Sequence, residues 1–289
     1  MHTIYNDQLS IEVADKGAEL QSIYHQQHNL EYLWSGDPAF WAKKSPILFP
    51  IVGGLKNNTY RYKGKEYKLS RHGFARDSEF ELANETNDSI TFSLKSDKQT
   101  KLVYPFDFVF SVKYALQQSK VQVTFIVENT GLENLLFSVG AHPAFAVPLV
   151  PQTQYEDYYL QFNKTEDAGR WPLSTEGLIE TTPLSILKNE NHLPLQKQLF
   201  YKDALVFKHL QSDEISILSD KTSHGVKVTF PGFPFVGVWA ANNADFVCIE
   251  PWCGIADSVD ASGNLEDKEG INTLAPEGRF KIGYEIEVF

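Results

Sequence analysis

Residues 108–129 read FVFSVKYALQQSKVQVTFIVEN, two runs in which apolar side chains alternate with mostly polar ones. A period of two puts every second side chain on the same face of a β-strand, so each run predicts a strand with one face on a core. The apolar faces contain Phe108, Phe110, Val112, Tyr114 and Leu116 in the first run and Val121, Val123, Phe125 and Val127 in the second. The turn-forming residues Asn129-Thr130-Gly131 close the second run.

The same alternation recurs in shorter segments from one end of the chain to the other. Sustained helical periodicity is absent, and we predict only one short helix over 38–44, with Asp37 as its cap. Many short strands with little helix predict an all-β fold, a large and mostly antiparallel β-sandwich or barrel, with residues 1–289 as a single domain. Residues 164–198 are the least regular part and predict a long loop with short elements.

The composition of the 289 residues narrows the choice of partners and compartment. A formal net charge of −11 argues against nucleic acid, because phosphate binding needs clustered Lys and Arg side chains. The same charge disfavours an anionic membrane surface, and no apolar run approaches the ~20 residues that span a bilayer. The N-terminal residues do not resemble a signal peptide, and Cys248 and Cys253 form neither a disulfide framework nor a zinc motif. We therefore expect a cytoplasmic protein without nucleic-acid or membrane partners.

Three ionisable residues in tight apolar settings are the candidates for chemistry. His142 ends a strand-like run in which Ser138 and Gly140 leave space beside it, and Glu250 ends another apolar run. His72 lies before a glycine, where a ligand can approach the backbone. Two histidines and a carboxylate can supply acid–base chemistry at neutral pH. The structural alternatives are a surface turn for His72, a core histidine at 142 and an exposed strand end at 250.

Further residues are weaker candidates for binding. Asp203 fits a turn cap equally well, and Trp239 and Trp252 suit stacking against a sugar, although a buried Trp more often belongs to a core. The His/His/Glu set can bind zinc, but the short spacing of HExxH is missing, so we expect no metal. No GxGxxG, P-loop or GxSxG motif is present, which leaves dehydrogenase, kinase and serine-hydrolase functions without support.

Five segments together resemble the aldose 1-epimerase (galactose mutarotase) family, specifically its LacX-like bacterial branch. The segments are Gly17–Ser22, Pro46–Gly53, His72–Arg76, Gly140–Phe145 and Cys248–Trp252. The resemblance covers nearly the whole length. It implies a galactose mutarotase-like β-supersandwich and a cofactor-free, metal-free isomerase that interconverts the α and β anomers of a small-molecule sugar.

The resemblance also implies roles for individual residues. Glu250 matches the general base that removes the O1 proton of the sugar, and His142 matches the general acid that protonates the ring oxygen. His72 matches the second histidine, which holds the substrate and its ring oxygen, and Asp203 matches the acidic residue that binds sugar hydroxyls. We expect the imidazole at 142 and the carboxylate at 250 to face each other across a space the size of a pyranose ring.

One position departs from the family. Many relatives carry, directly after the Pro-Ile-Val-Gly segment, an Arg that reaches the sugar, and this chain has Gly54 there. The change leaves the identity of the sugar open, and Arg71 is the residue that we expect to take over the contact.

Three alternatives to a mutarotase stay open at this point. The first is a carbohydrate-binding protein without catalysis. The second is a sugar-phosphate mutarotase that uses Arg71 and Arg76, although no dense basic cluster is evident. The third is a metal-dependent enzyme. A homodimer is the assembly that we consider, and the sequence does not decide it.

Overall fold

A computed structural model describes residues 1–289, and strands dominate it. In chain order the strands are β1 (His2–Tyr5), β2 (Leu9–Val13), β3 (Leu20–His25), β4 (Leu30–Glu31), β5 (Ile47–Leu48), β6 (Thr59–Tyr62), β7 (Lys65–Lys68), β8 (Glu81–Glu85), β9 (Ser89–Lys95), β10 (Phe108–Gln117), β11 (Lys120–Asn129), β12 (Leu135–Phe137), β13 (Val139–Ala141), β14 (Ala144–Ala146), β15 (Tyr158–Arg170), β16 (Leu184–Pro194), β17 (Leu205–Lys208), β18 (Glu214–Ser219), β19 (Thr222–Thr229), β20 (Phe235–Trp239), β21 (Phe246–Cys253), β22 (Asn272–Leu274) and β23 (Arg279–Val288).

Helical structure is limited to single turns. One α-helical turn, α1, spans Thr100–Val103, and none of the helices has the length and apolar character needed to cross a membrane. The 3₁₀ segments are Lys56–Asn58, Ala75–Asp77, Tyr155–Asp157, Lys197–Phe200 and Leu265–Asp267. The prediction of an all-β, antiparallel fold with little helix is therefore confirmed.

The largest sheet has nine strands in the order β16-β15-β18-β19-β23-β11-β10-β9-β8. Every pair of adjacent strands in this sheet is antiparallel. The two strands predicted in 108–129 are confirmed as β10 and β11, which pair from Phe108↔Asn129 to Gln117↔Lys120. Their predicted apolar faces are buried. Alternation was informative here because one face of these strands packs on a core and the other meets solvent.

The core lies between this sheet and the smaller ones. Phe110 of β10 stacks on Phe49, just after β5, with ring centroids 4.4 Å apart. The Tyr114 hydroxyl donates a hydrogen bond to the Ala18 carbonyl, 2.8 Å away, beside the four-stranded sheet β1-β2-β3-β4. The interior of the sandwich is therefore rich in aromatic contacts between sheets.

A six-stranded sheet carries the candidate site. Its order is β17-β20-β21-β13-β5, and β14 pairs with β21 beyond the end of β13. β21 is buried along its whole length. Both short strands, β13 and β14, use it as their antiparallel partner, so the residues between them remain beside β21.

Two local predictions were wrong. Residues 38–44 form one turn rather than a helix, although Asp37 does cap it by accepting the Ala39 N–H at 2.9 Å. Residues 164–198 contain the end of β15 and the whole of β16, which pair with each other, so the predicted loop is confined to the intervening residues 171–183. This hairpin was hard to detect because β16 is an edge strand that is mainly exposed and its register with β15 is interrupted three times, which blurs the period of two.

We predict that Phe110→Ala lowers the free energy of unfolding by about 3–5 kcal/mol, because the ring is fully buried and joins two sheets. Chemical denaturation measures the change. Leu132→Ala is the control, since Leu132 is 96% exposed and its truncation should stay within about 0.5 kcal/mol. A loss of less than about 1 kcal/mol from Phe110→Ala would contradict the inter-sheet packing.

Candidate active site

A cavity of about 680 Å³ opens above β20 and β21, and all eight residues predicted for the site border it. These residues are Arg71, His72, Arg76, His142, Asp203, Trp239, Glu250 and Trp252. They come from segments that are far apart in the chain, and the six-stranded sheet with its loops brings them together.

The strand register places His142 directly opposite Glu250. β13 pairs Gly140 with Trp252, and β14 pairs Ala144 with Cys248. Continuing either register by two residues sets 142 against 250, and opposed residues of antiparallel strands project from the same face. His142 Nε2 and Glu250 Oε2 are accordingly 3.3 Å apart, with side chains only 10% and 2% exposed.

This contact corrects the expectation that a pyranose-sized space separates the two groups. They touch each other, and the cavity lies beside the pair. The pair nevertheless has unused hydrogen-bonding capacity, because Glu250 Oε2 and His142 Nδ1 are buried and have no hydrogen-bond partner. Buried polar atoms without a hydrogen-bond partner are rare in proteins, and both residues of this pair border the cavity.

Burial moves both groups toward their neutral forms. It raises the pKa of Glu250 well above the ordinary range, with a further increase from the charge of Asp203 and an opposing effect of Arg71. Burial also lowers the pKa of His142 to about 3, and the charges of Arg76 and Arg71 add to it. Both shifts favour the state in which the single proton of the ligand-free pair is on the carboxyl group.

His72 is fixed in one tautomer by the backbone. It has a left-handed conformation with φ 70°, and the following Gly73 has φ 72° and lies against the Phe49 carbonyl, where a Cβ would collide. The Gly53 N–H donates to His72 Nδ1 at 3.1 Å. Nε2 therefore carries the hydrogen of the neutral ring. Burial, followed by the charges of His142 and the two arginines, lowers the pKa of His72 well below its usual value, so it is a neutral donor.

Arg71, Arg76 and Asp203 form the charged side of the cavity. Arg71 Nη2 lies 3.8 Å from Asp203 Oδ2 and donates to the Gly177 carbonyl at 3.4 Å. Arg76 Nη2 donates to the Arg71 carbonyl at 3.0 Å and so supports the loop. Asp203 has φ 74° and accepts the N–H of its neighbour Ala204 at 2.8 Å, which makes it both a turn residue and a cavity residue.

Gly54 and Arg71 both lie near the Gly177 carbonyl oxygen. A Cβ at position 54 would meet only the Gly177 carbonyl oxygen, at 3.8 Å. Arg71 donates to the same oxygen.

Aromatic rings surround the pair of His142 and Glu250. Trp41 stacks on His142 with centroids 4.9 Å apart, and Trp239 lies perpendicular to it at 5.5 Å. The indole of Trp252 packs against Gly140, so it fills the space that this glycine was predicted to leave beside His142. Sequence reasoning missed Trp41, because it lies in the segment taken for a helix and no spacing connects it with His142.

Three side chains that could ligate a metal ion converge at this site. His142, Cys248 and Glu250 each offer one ligand atom, and these atoms lie within 4.8 Å of one another. The His/His/Glu set considered from the sequence is not this group, since Cys248 stands in place of His72.

We predict that Glu250→Gln raises the melting temperature at neutral pH. A raised folded-state pKa means that the unfolded chain ionises first, so the wild type loses stability as pH rises from about 4.3, the unfolded value, toward the folded one. Gln does not ionise, so its advantage should grow between pH 4 and pH 7 in thermal melts. Glu269→Gln, which removes one partner of an exposed ion pair, is the control. Its melting temperature should show no such growing advantage over wild type between pH 4 and pH 7. A variant that melts below wild type at pH 7 would contradict the raised pKa.

Comparison with known proteins identifies the family of the chain. The sequence profile of the family described as aldose 1-epimerase matches residues 1–277. The plasmid-encoded protein LacX of Lactococcus lactis subsp. lactis is 34% identical, over 98% of this chain and 97% of its own length. A galactose mutarotase related enzyme from Lactobacillus acidophilus superimposes with a TM-score of 0.95 and 38% identity, covering 100% of this chain and 97% of that one. A galactose mutarotase-like protein from Lactobacillus casei gives a TM-score of 0.94 at 28% identity, with complete coverage of both chains. The chain belongs to the aldose 1-epimerase family.

Proposed function

We propose that this protein is a cofactor-independent mutarotase that interconverts the α and β anomers of a free aldose, with Glu250 as the base and His142 as the acid. The observation that carries the proposal is the contact of 3.3 Å between these two groups in the wall of a cavity of about 680 Å³. Family membership supports an isomerase of this class and a sugar as the substrate.

Substrate binding uses the groups around the pair. His72 offers its Nε2 hydrogen to the sugar near the ring oxygen, as a neutral donor that the Gly53 N–H keeps oriented. Asp203 and Arg71 bind hydroxyl groups on the charged side. Trp239 and Trp41 give apolar surfaces against which the C–H faces of a pyranose can pack.

Ring opening moves two protons within the site. Hydroxyl groups of the bound sugar donate to the unpartnered Glu250 carboxyl oxygen and stabilise its ionised form, so the proton of the pair passes to His142. Glu250 then takes the O1 proton while His142 gives its proton to the ring oxygen, and the bond from C1 to the ring oxygen breaks. The C1–C2 bond turns, and closure on the other carbonyl face reverses both transfers.

Burial favours the intermediate of this reaction. After ring opening, Glu250 is a neutral carboxyl and His142 a neutral imidazole, which is the protonation state that the pKa shifts of the pair favour. The site therefore stabilises the open-chain state relative to the two cyclic states. Stabilisation that is stronger along the reaction path than in the ground state is what accelerates a reaction.

The basic residues also allow a sugar phosphate as the substrate. Arg71 and Arg76 border the cavity and no lysine does, so the positive charge available to a phosphate is limited to two guanidinium groups. A free aldose fits this arrangement better, and hexose phosphates belong in the same substrate panel as the second candidate.

We predict that Glu250→Gln removes most of the catalysed anomer exchange, at least about 100-fold in kcat, while the sugar still binds. Two-dimensional exchange NMR on a panel of hexoses and hexose phosphates measures the rate, and Glu269→Gln is the control. Exchange by Glu250→Gln at the wild-type rate would refute the base assignment. Binding without any exchange by the wild type would identify a carbohydrate-binding protein instead.

We predict that kcat/KM stays level from pH 7 down to pH 5. The active free enzyme holds one proton in the pair, and a second proton enters only near the lowered pKa of His142, about 3. On the alkaline side, kcat/KM falls once Glu250 loses its proton. The rates are corrected for spontaneous anomer exchange at each pH. An acid limb with a midpoint near 6.5, the ordinary histidine value, would contradict the account.

A further inference from the structure

Cys248 lies beside the acid–base pair but takes no part in the proposed reaction. It precedes Glu250 by two residues on β21, so both side chains project from the same face of the strand. It does not border the cavity. Its sulfur nevertheless lies within 4.8 Å of a ligand atom of His142 and of one of Glu250, and all three residues are buried.

The three donor atoms match the preferences of zinc. Zn²⁺ binds imidazole nitrogen, carboxylate oxygen and thiolate sulfur at about 2.0–2.3 Å, which separates ligand atoms in a tetrahedron by about 3.3–3.7 Å. The distance from His142 Nε2 to Glu250 Oε2 is already 3.3 Å. The thiolate selects zinc-like cations over Mg²⁺ and Ca²⁺, which prefer oxygen ligands.

A second observation points to a cation at this place. Glu250 Oε2 and His142 Nδ1 are buried and lack hydrogen-bond partners, so the pair is not saturated by the protein itself. A cation between the side chains would satisfy the carboxylate oxygen. With three protein ligands, the fourth position of a tetrahedral site would open toward the cavity, as in sites that exchange water or substrate.

We propose that His142, Cys248 and Glu250 form an inhibitory site for zinc-like divalent cations. The bound cation occupies the nitrogen and oxygen atoms that would otherwise move protons, so it competes with the sugar and stops anomer exchange. The inhibition rests on the proposed function, because it requires His142 and Glu250 to be the acid and the base. The binding of the cation does not rest on it.

The surroundings make this site reversible. Histidine ligands of resident zinc ions usually donate their second ring nitrogen to a carboxylate or carbonyl, and loss of such a partner weakens binding about 10–100-fold. His142 Nδ1 has no partner. The cation therefore acts as a dissociable inhibitor that a chelator removes, and the reaction itself proceeds without it.

Cobalt titration of the purified protein tests the binding directly. Co²⁺ substitutes for zinc and gives a near-ultraviolet charge-transfer band only when a thiolate is a ligand. We expect this band in the wild type and in Cys253→Ala, where the other buried cysteine is removed, and its loss in Cys248→Ala. Zn²⁺ should displace the band. Binding at the cluster of His25, His28 and His224 would give no thiolate band and so does not interfere.

Exchange NMR with added Zn²⁺ tests the inhibition. The wild type and Cys253→Ala should lose activity and recover it with EDTA, whereas Cys248→Ala should need at least about 10-fold more zinc, since one of three ligands is missing. If circular dichroism shows that Cys248→Ala does not fold, Cys248→Ser replaces it in both measurements.

Three results would overturn the proposal. They are the absence of the thiolate band in the wild type, an equal band in the Cys248 variant, and equal zinc sensitivity of the two cysteine variants. Loss of wild-type exchange with EDTA alone would overturn the inhibitory role. A thiolate band in a protein that never accelerates anomer exchange would contradict the proposed function but would still support the metal site.

Discussion

The contact between His142 and Glu250 is the interaction on which the site depends. It follows from a register in which two short strands, β13 and β14, share β21 as their partner and leave position 142 in the gap opposite 250. A carboxyl group and an imidazole forced together in a buried place cannot both be charged cheaply, because little solvent or hydrogen bonding compensates them. Burial therefore favours the state in which the single proton of the pair is on the carboxyl group, and the chemistry proposed above is the movement of that proton.

The groups that border the cavity leave polar atoms of the His142–Glu250 pair without hydrogen-bond partners. The Gly53 N–H occupies the acceptor nitrogen of His72, so this histidine presents a hydrogen rather than competing for the proton. Arg71 Nη2 and Asp203 Oδ2 lie 3.8 Å apart on the charged side of the cavity. The ring of Trp41 stacks on the imidazole of His142. A sugar that brings hydroxyl groups into this setting supplies the polar partners that the protein withholds.

The sequence patterns predicted the fold and the residues that border the cavity, but they did not predict the distances between those residues. The alternation in 108–129 predicted β10 and β11 because those strands have one buried face, whereas the exposed, bulged hairpin of β15 and β16 carried no such signal. His72, His142 and Glu250 could be singled out because each stands in an apolar setting. Their distances could not, since the register between β13 and β21 joins residues more than 100 positions apart. The protonation of the pair depends on that register and was unpredictable for the same reason.

The protonation state of the ligand-free His142–Glu250 pair is the most direct test of the proposed mechanism. Nitrogen-15 NMR of histidine-labelled protein, with His142 assigned by its absence in His142→Gln, reports whether one or both ring nitrogens carry hydrogen at pH 7. Infrared difference spectra between wild type and Glu250→Gln report the carboxyl group at the same pH. We expect a neutral imidazole and a protonated carboxyl group. An imidazolium beside a carboxylate in the ligand-free protein would contradict this expectation.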